Sequence, residues 1–109
     1  AFNYIDDAVS GTIDAMESNK ANGEILHIGD MKSEITIEQL IHYIGDLMGY
    51  KGEFERQEAP SGSVSRRCPN TAKANKMIGY DPKVQWQEGV KNTVNWYVNY
   101  INSGSEIFE

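Results

Sequence analysis

The stretch from Thr36 to Gly49 constrains the fold of this chain more than any other. Thr36 stands three residues before Gln39, the capping-box spacing in which each side chain answers the other's backbone N–H at a helix start. Ile35 and Leu40 flank it as a hydrophobic staple. Ile37, Leu40, Ile41, Ile44, Leu47 and Met48 then recur at helical spacing, and Gly49 follows where a left-handed residue ends a helix. A helix with both ends marked and one broad apolar face must be covered by something, so the chain has to build a layer against it.

Three further helices are expected. Ile5, Ala8, Val9, Thr12, Ile13 and Met16 form an apolar stripe over Tyr4 to Met16, with Asp6 and Asp7 in the first turn, where the helix dipole favours anions. Asn70 is placed to cap a short helix that ends at Ile78 before Gly79. Trp86, Val90, Val94, Tyr97 and Ile101 share one face of a helix from Trp86 to Asn102. Between them, Glu24 to Ile28 reads as a short buried strand and Glu53 to Glu58 as an edge strand. The order helix, strand, helix, strand, helix, helix predicts an α/β class, a small α+β-type domain with few short strands and about four helices. Residues 1–102 form one domain and residues 103–109 a flexible tail.

With 109 residues and 39% hydrophobic content the core is modest. Ten Lys and Arg against 16 Asp and Glu leave a formal net charge of −6, which argues against nucleic-acid and anionic-membrane binding. The charge is uneven, however: Arg56, Arg66, Arg67, Lys73, Lys76 and Lys83 fall in a stretch whose only acids are Glu58 and Asp81. The single Cys68 excludes an internal disulfide and suits a cytoplasmic setting. No apolar run approaches the roughly 20 residues of a membrane span. The chain opens on Ala1-Phe2-Asn3-Tyr4 without Met, as a segment of a larger protein would.

Most catalytic signatures are missing. There is no G-x-G-x-x-G after a strand, no P-loop, and no tyrosine followed four residues later by lysine. His27, His42 and Cys68 lack partners at metal-ligand spacing. His27, among apolar neighbours, reads first as a core or pocket-wall histidine, and His42 as exposed. The Trp86, Trp96, Tyr97 and Tyr100 group reads as core packing.

Arg66 and Arg67 stand out. Adjacent guanidiniums commonly pair with surface carboxylates, to little energetic effect. Here they precede a helix start, beside Gly62 and flanking serines that permit close backbone approach. Arg also presents a planar fork of donors suited to phosphate oxygens. Lys73, in the first turn of that helix, is misplaced unless an anion is near.

At this point the chain resembles a known family. Phe2-Asn3-Tyr4-Ile5-Asp6-Asp7-Ala8-Val9 is similar to the F-x-Y-V/I-x-D-x-V/A element of NAD-dependent epimerase/dehydratases, the extended short-chain dehydrogenases that act on nucleotide sugars. Gly23 to Gly29 resembles their G-E-x-x-N/H-I/V-G strand, and Glu34-Ile35-Thr36-Ile37 their E-I-S/T-I helix start. Gly62 to Ala74 resembles the loop ending in P-D-x-S/T-K-A. Ile78 to Val84 and Glu88 to Tyr97 match the L-G-Y/W-x-P-x-V/T and E-G-L/V-x-x-T-x-x-W/Y-Y/F close. Six elements in order cover residues 2 to about 101.

The resemblance implies the C-terminal, substrate-binding part of such an enzyme, without its Rossmann half. NAD and the Tyr/Lys pair would lie in that other half, so no catalytic residue and no cofactor are expected in this chain. An arginine of this loop contacts the nucleotide diphosphate in the family. By position Arg66 and Arg67 are the candidates, Arg66 slightly preferred, with His27 and Lys73 as lesser ones. The implied partners are a UDP- or dTDP-sugar and the missing Rossmann domain or a second copy. Two departures stand out: Pro60 occupies the arginine position of R-P-G-D, and Asn70 replaces the usual Asp. The implied function is nucleotide-sugar binding within an epimerase, dehydratase or decarboxylase. The alternative is a non-catalytic, self-associating module.

Overall fold

A computed structural model describes residues 1–104. Four α-helices follow one another: α1 (Ile5–Glu17), α2 (Ile37–Met48), α3 (Ala72–Ile78) and α4 (Trp86–Asn102), with a 3-10 turn at Asn19–Ala21 after α1. The boundaries of α2 and α3 have local causes. At α2 the capping box forms in full: Gln39 N–H donates to Thr36 Oγ1 at 3.1 Å and Thr36 N–H to Gln39 Oε1 at 2.9 Å. Gly49 closes the helix in the left-handed region at φ 68°. The cap of α3 falls one residue later than the sequence suggests, on Thr71, while the Asn70 side chain accepts the N–H of Ala72 at 3.0 Å. Of the expected tail, Ser103 and Gly104 form a turn, and residues 105–109 lie outside the described residues.

Helix α2 packs on α4 through Leu40 and Ile44 against Trp86, Val90 and Val94. Tyr43 donates to Gln87 O at 3.1 Å and sets its ring edge-on to Trp86. A second cluster centres on Tyr80, which is 5% exposed. Its O–H donates to Gly29 O at 2.9 Å and accepts from Asn3 Nδ2 at 3.2 Å. The Cδ2–Cε2 side of the Tyr80 ring lies against Gly11 of α1, and Pro69 lies against Gly29. Both contacts exist because glycine leaves room for them. Asp7 of α1 accepts the N–H groups of Lys83 and Val84 through one oxygen, at 3.0 and 2.9 Å, tying the Pro82 turn to the helix.

The apolar stripe of α1 is not covered within these residues: Ile5, Val9, Ile13 and Met16 are 63, 49, 46 and 81% exposed. The helix packs instead through Gly11, its buried residue. Likewise Trp96 stacks on Tyr100 with centroids 5.0 Å apart, and meets Tyr97 edge-on, but as a cluster at the surface rather than in a core. Among the described residues no strand ladder is present: Glu24 to Ile28 and Glu53 to Glu58 run without helix or sheet pairing.

These exposures add up. The accessible surface is 8740 Å², against about 6,000 Å² for a compact monomer of this mass. The radius of gyration is 16.9 Å, against about 13 Å. The described residues bury only Ala74 and Tyr80 among hydrophobic side chains.

Candidate functional site

The loop carrying Arg66 and Arg67 is fixed at its far end, where Pro69 rests on Gly29. Opposite it, a tight turn presents Glu34. Asp30 is buried, and its carboxylate accepts from the Lys32 N–H at 2.9 Å and from the Ser33 hydroxyl. The backbone of Ser33 in turn accepts from Phe2 N–H at 3.1 Å. The turn thereby places Glu34 beside the arginines, two residues ahead of Thr36, the N-cap of α2.

Between loop and turn lies an open cleft of about 690 Å³, lined by Ala1, Phe2, Glu34 to Ile37, Gln39 and Ser63 to Arg67. Both arginines line it and both are exposed. Their states differ. Arg66 is held side-on by Glu34, Nε to Oε1 at 2.5 Å and Nη2 to Oε2 at 2.8 Å. Hydrogen bonding from Arg66 is the main force holding the Glu34 carboxyl below the usual carboxylate range, and Glu34 raises Arg66 in return. Arg67 has no carboxylate partner for its guanidinium among the described residues; only its backbone carbonyl is engaged, by the amino group of Ala1 at 2.6 Å.

The other candidates lie elsewhere. Lys73 pairs with Glu24 at 2.7 Å, so the anion that its misplaced charge calls for is internal. His27 is exposed and shares a separate shallow depression with Lys73, Ile25, Asn70 and Ala72. The structure thus brings Arg66 and Arg67 together and leaves His27 and Lys73 apart from them. Arg56 and Lys83 are likewise occupied, by Glu38 and Asp81. Sequence reasoning missed Glu34 as the partner of Arg66, since 32 residues separate them; its only signal was the E-I-S/T-I element.

No group of His, Cys, Asp and Glu suited to a metal ion occurs among the described residues. No helix there is long and apolar enough to cross a membrane. No helix among them begins at a glycine-rich turn after a strand, the cradle a dinucleotide pyrophosphate uses.

Comparison with known proteins agrees with the motifs. The chain is 34% identical over 95 residues to a UDP-glucuronate 4-epimerase of Thermodesulfobacterium geofontis, covering 87% of this chain and 29% of that protein. It is 36% identical over 102 residues to a UDP-N-acetyl-alpha-D-glucosaminuronate decarboxylase of Bacillus cytotoxicus, covering 88% and 31%. A UDP-glucuronic acid decarboxylase 1 of Xenopus tropicalis is 30% identical over 97 residues, covering 89% and 22%. The chain belongs to the NAD-dependent epimerase/dehydratase family. No family model matches it. It spans less than a third of the length of these relatives.

Proposed function

We propose that this chain is the nucleotide-sugar-binding part of an NAD-dependent epimerase or decarboxylase, and that the Arg66–Arg67 cleft grips the diphosphate. The observation that carries this reading is the unpartnered guanidinium of Arg67 facing a roomy cleft in a chain of net charge −6. A free arginine fork in an acidic protein is a site of anion attraction, and a diphosphate matches its geometry. The UDP-sugars named for the relatives make a UDP-sugar the first ligand to test. Holding the diphosphate far from the reacting carbon uses remote binding energy to orient the sugar. A nicotinamide cofactor held outside these residues would exchange the hydride.

The rest of such an enzyme accounts for the open surfaces. In this reading it covers the exposed α1 stripe and supplies the ladder partner that Glu24 to Ile28 lacks, which restores the expected α/β class. The test is a titration of the chain with UDP and UDP-glucose, following backbone amides by NMR. Shifts concentrated at 62–74 and 34–37, and lost in Arg67→Gln, are expected. A flat titration to millimolar UDP overturns the assignment.

One observation favours a second reading. The apolar side chains on α1 and the aromatic cluster at Trp96 form faces of the kind that drive self-association. A self-associating, non-catalytic module would sediment as a dimer at micromolar concentration, and Met16→Glu would return it to monomer.

A further inference from the structure

We propose that Glu34 is a built-in competitor for the Arg66 fork, and that it makes the cleft selective for diphosphates over single phosphates; this rests on the diphosphate reading of the cleft. The Glu34 carboxylate already occupies the two donors, Nε and Nη2, that a pair of phosphate oxygens would take. It is not free to drift away, because the turn behind it is pinned by buried Asp30 and Ser33. Arg67 alone stands ready.

A single phosphate satisfied at Arg67 gains little by prising Arg66 from Glu34. A diphosphate has a second phosphoryl group to offer and more charge with which to displace the carboxylate. Both side chains of the pair are solvated, Arg66 at 72% and Glu34 at 37% exposure. Exposed pairs of this kind are weak, so the fork is released by a strong anion and kept from a weak one.

Calorimetric titration of the 109-residue chain with inorganic phosphate, inorganic pyrophosphate and UDP tests this. Glu34→Gln and Glu34→Asp are compared with wild type and with Glu38→Gln as a control for lost negative charge. Glu34→Asp keeps the charge but falls short of the fork. In both Glu34 variants phosphate binding is expected to strengthen roughly three- to fivefold, the worth of an exposed pair. Pyrophosphate gains less, so its preference over phosphate narrows. Glu38→Gln leaves the preference unnarrowed. In wild type the Arg66 Nε–Hε resonance moves with pyrophosphate and stays in place with phosphate.

Simple removal of a negative charge predicts the opposite trend, since the more highly charged ligand then gains more. A preference that widens or stays constant in Glu34→Gln therefore overturns the competitor role while leaving the diphosphate site standing. If neither pyrophosphate nor UDP binds any variant, the diphosphate reading fails, and this proposal with it.

Discussion

Substituting Gly11 by alanine sets two well-known effects against each other at one position. In a helix interior, Gly→Ala ordinarily stabilises by about 1 kcal/mol. Here an added Cβ would sit 2.5 and 2.6 Å from Cε2 and Cδ2 of Tyr80, and 3.3 Å from Cγ2 of Ile28. Carbon contacts settle near 3.5–4.0 Å, so the ring has to retreat by about 1 Å. It is poorly placed to do so, because its hydroxyl is tied to Gly29 O and Asn3 Nδ2 in a site 5% exposed. Crowding a packed site of this kind costs about 1–3 kcal/mol. Stretching the buried Tyr80–Gly29 bond adds about 1 kcal/mol or more. The steric terms win, and Gly11→Ala is expected to destabilise by about 2 kcal/mol.

Urea unfolding followed by tryptophan fluorescence measures that value. Gly45→Ala is the control: its Cβ would meet Cζ of Phe54 at 3.2 Å, the tip of a ring that is 41% exposed and can swing aside. It should be neutral or stabilise by up to about 1 kcal/mol. A Gly11→Ala variant as stable as Gly45→Ala would refute the placement of Tyr80 against α1.

Three other outcomes follow from the same structure. Thr36→Ala removes the hydroxyl that accepts the Gln39 N–H, while the backbone N–H donated to Gln39 Oε1 remains, and should lower stability by about 1 kcal/mol in the same urea assay. Burial, the largest influence, raises the Tyr80 phenol above its ordinary value. The unfolded chain therefore releases that proton first, and the stability it confers is full below about pH 10 and lost as pH rises through the folded value. Tyr80→Phe should flatten this alkaline loss in pH-dependent unfolding. Glu34 and Asp81 are lowered by Arg66 and Lys83 respectively. Their contribution is present above the ordinary carboxylate range and fades as pH falls through their lowered values, and added salt should shrink it.

How much was legible in the sequence depended on whether the signal was local. Helix α2 was, since the capping box, the apolar period and Gly49 lie within 14 consecutive residues, and all of them act on their own backbone. Helix α4 was legible from spacing alone. The turn Asp30-Met31-Lys32-Ser33 and the Tyr80 hub were not, because what makes them matter is distant. Tyr80 meets Asn3, 77 positions away, and Gly29, 51 positions away. Arg66 and Arg67 were legible as a charge anomaly, but their inequality was not: which one is free depends on where Glu34 arrives.

The α1 stripe is the instructive case. Its periodicity was read correctly as an apolar face, and the inference that such a face is buried holds only when the covering layer belongs to the same chain. Here Gly11 takes the intramolecular contact while Ile5, Val9, Ile13 and Met16 stay in water. Burying those side chains would contribute several kcal/mol at about 25 cal/mol per Å², a large sum beside a core that among the described residues buries Ala74 and Tyr80. Under the proposed function, the layer that covers this face comes from the rest of the enzyme. Glu24 to Ile28 repeats the same logic in backbone form: a strand composition, 81% exposure at Ile25, and no ladder beside it. If the rest of the proposed enzyme covers both the apolar face and this extended segment, adding it should protect the Ile25 amide and quench access to Met16 together.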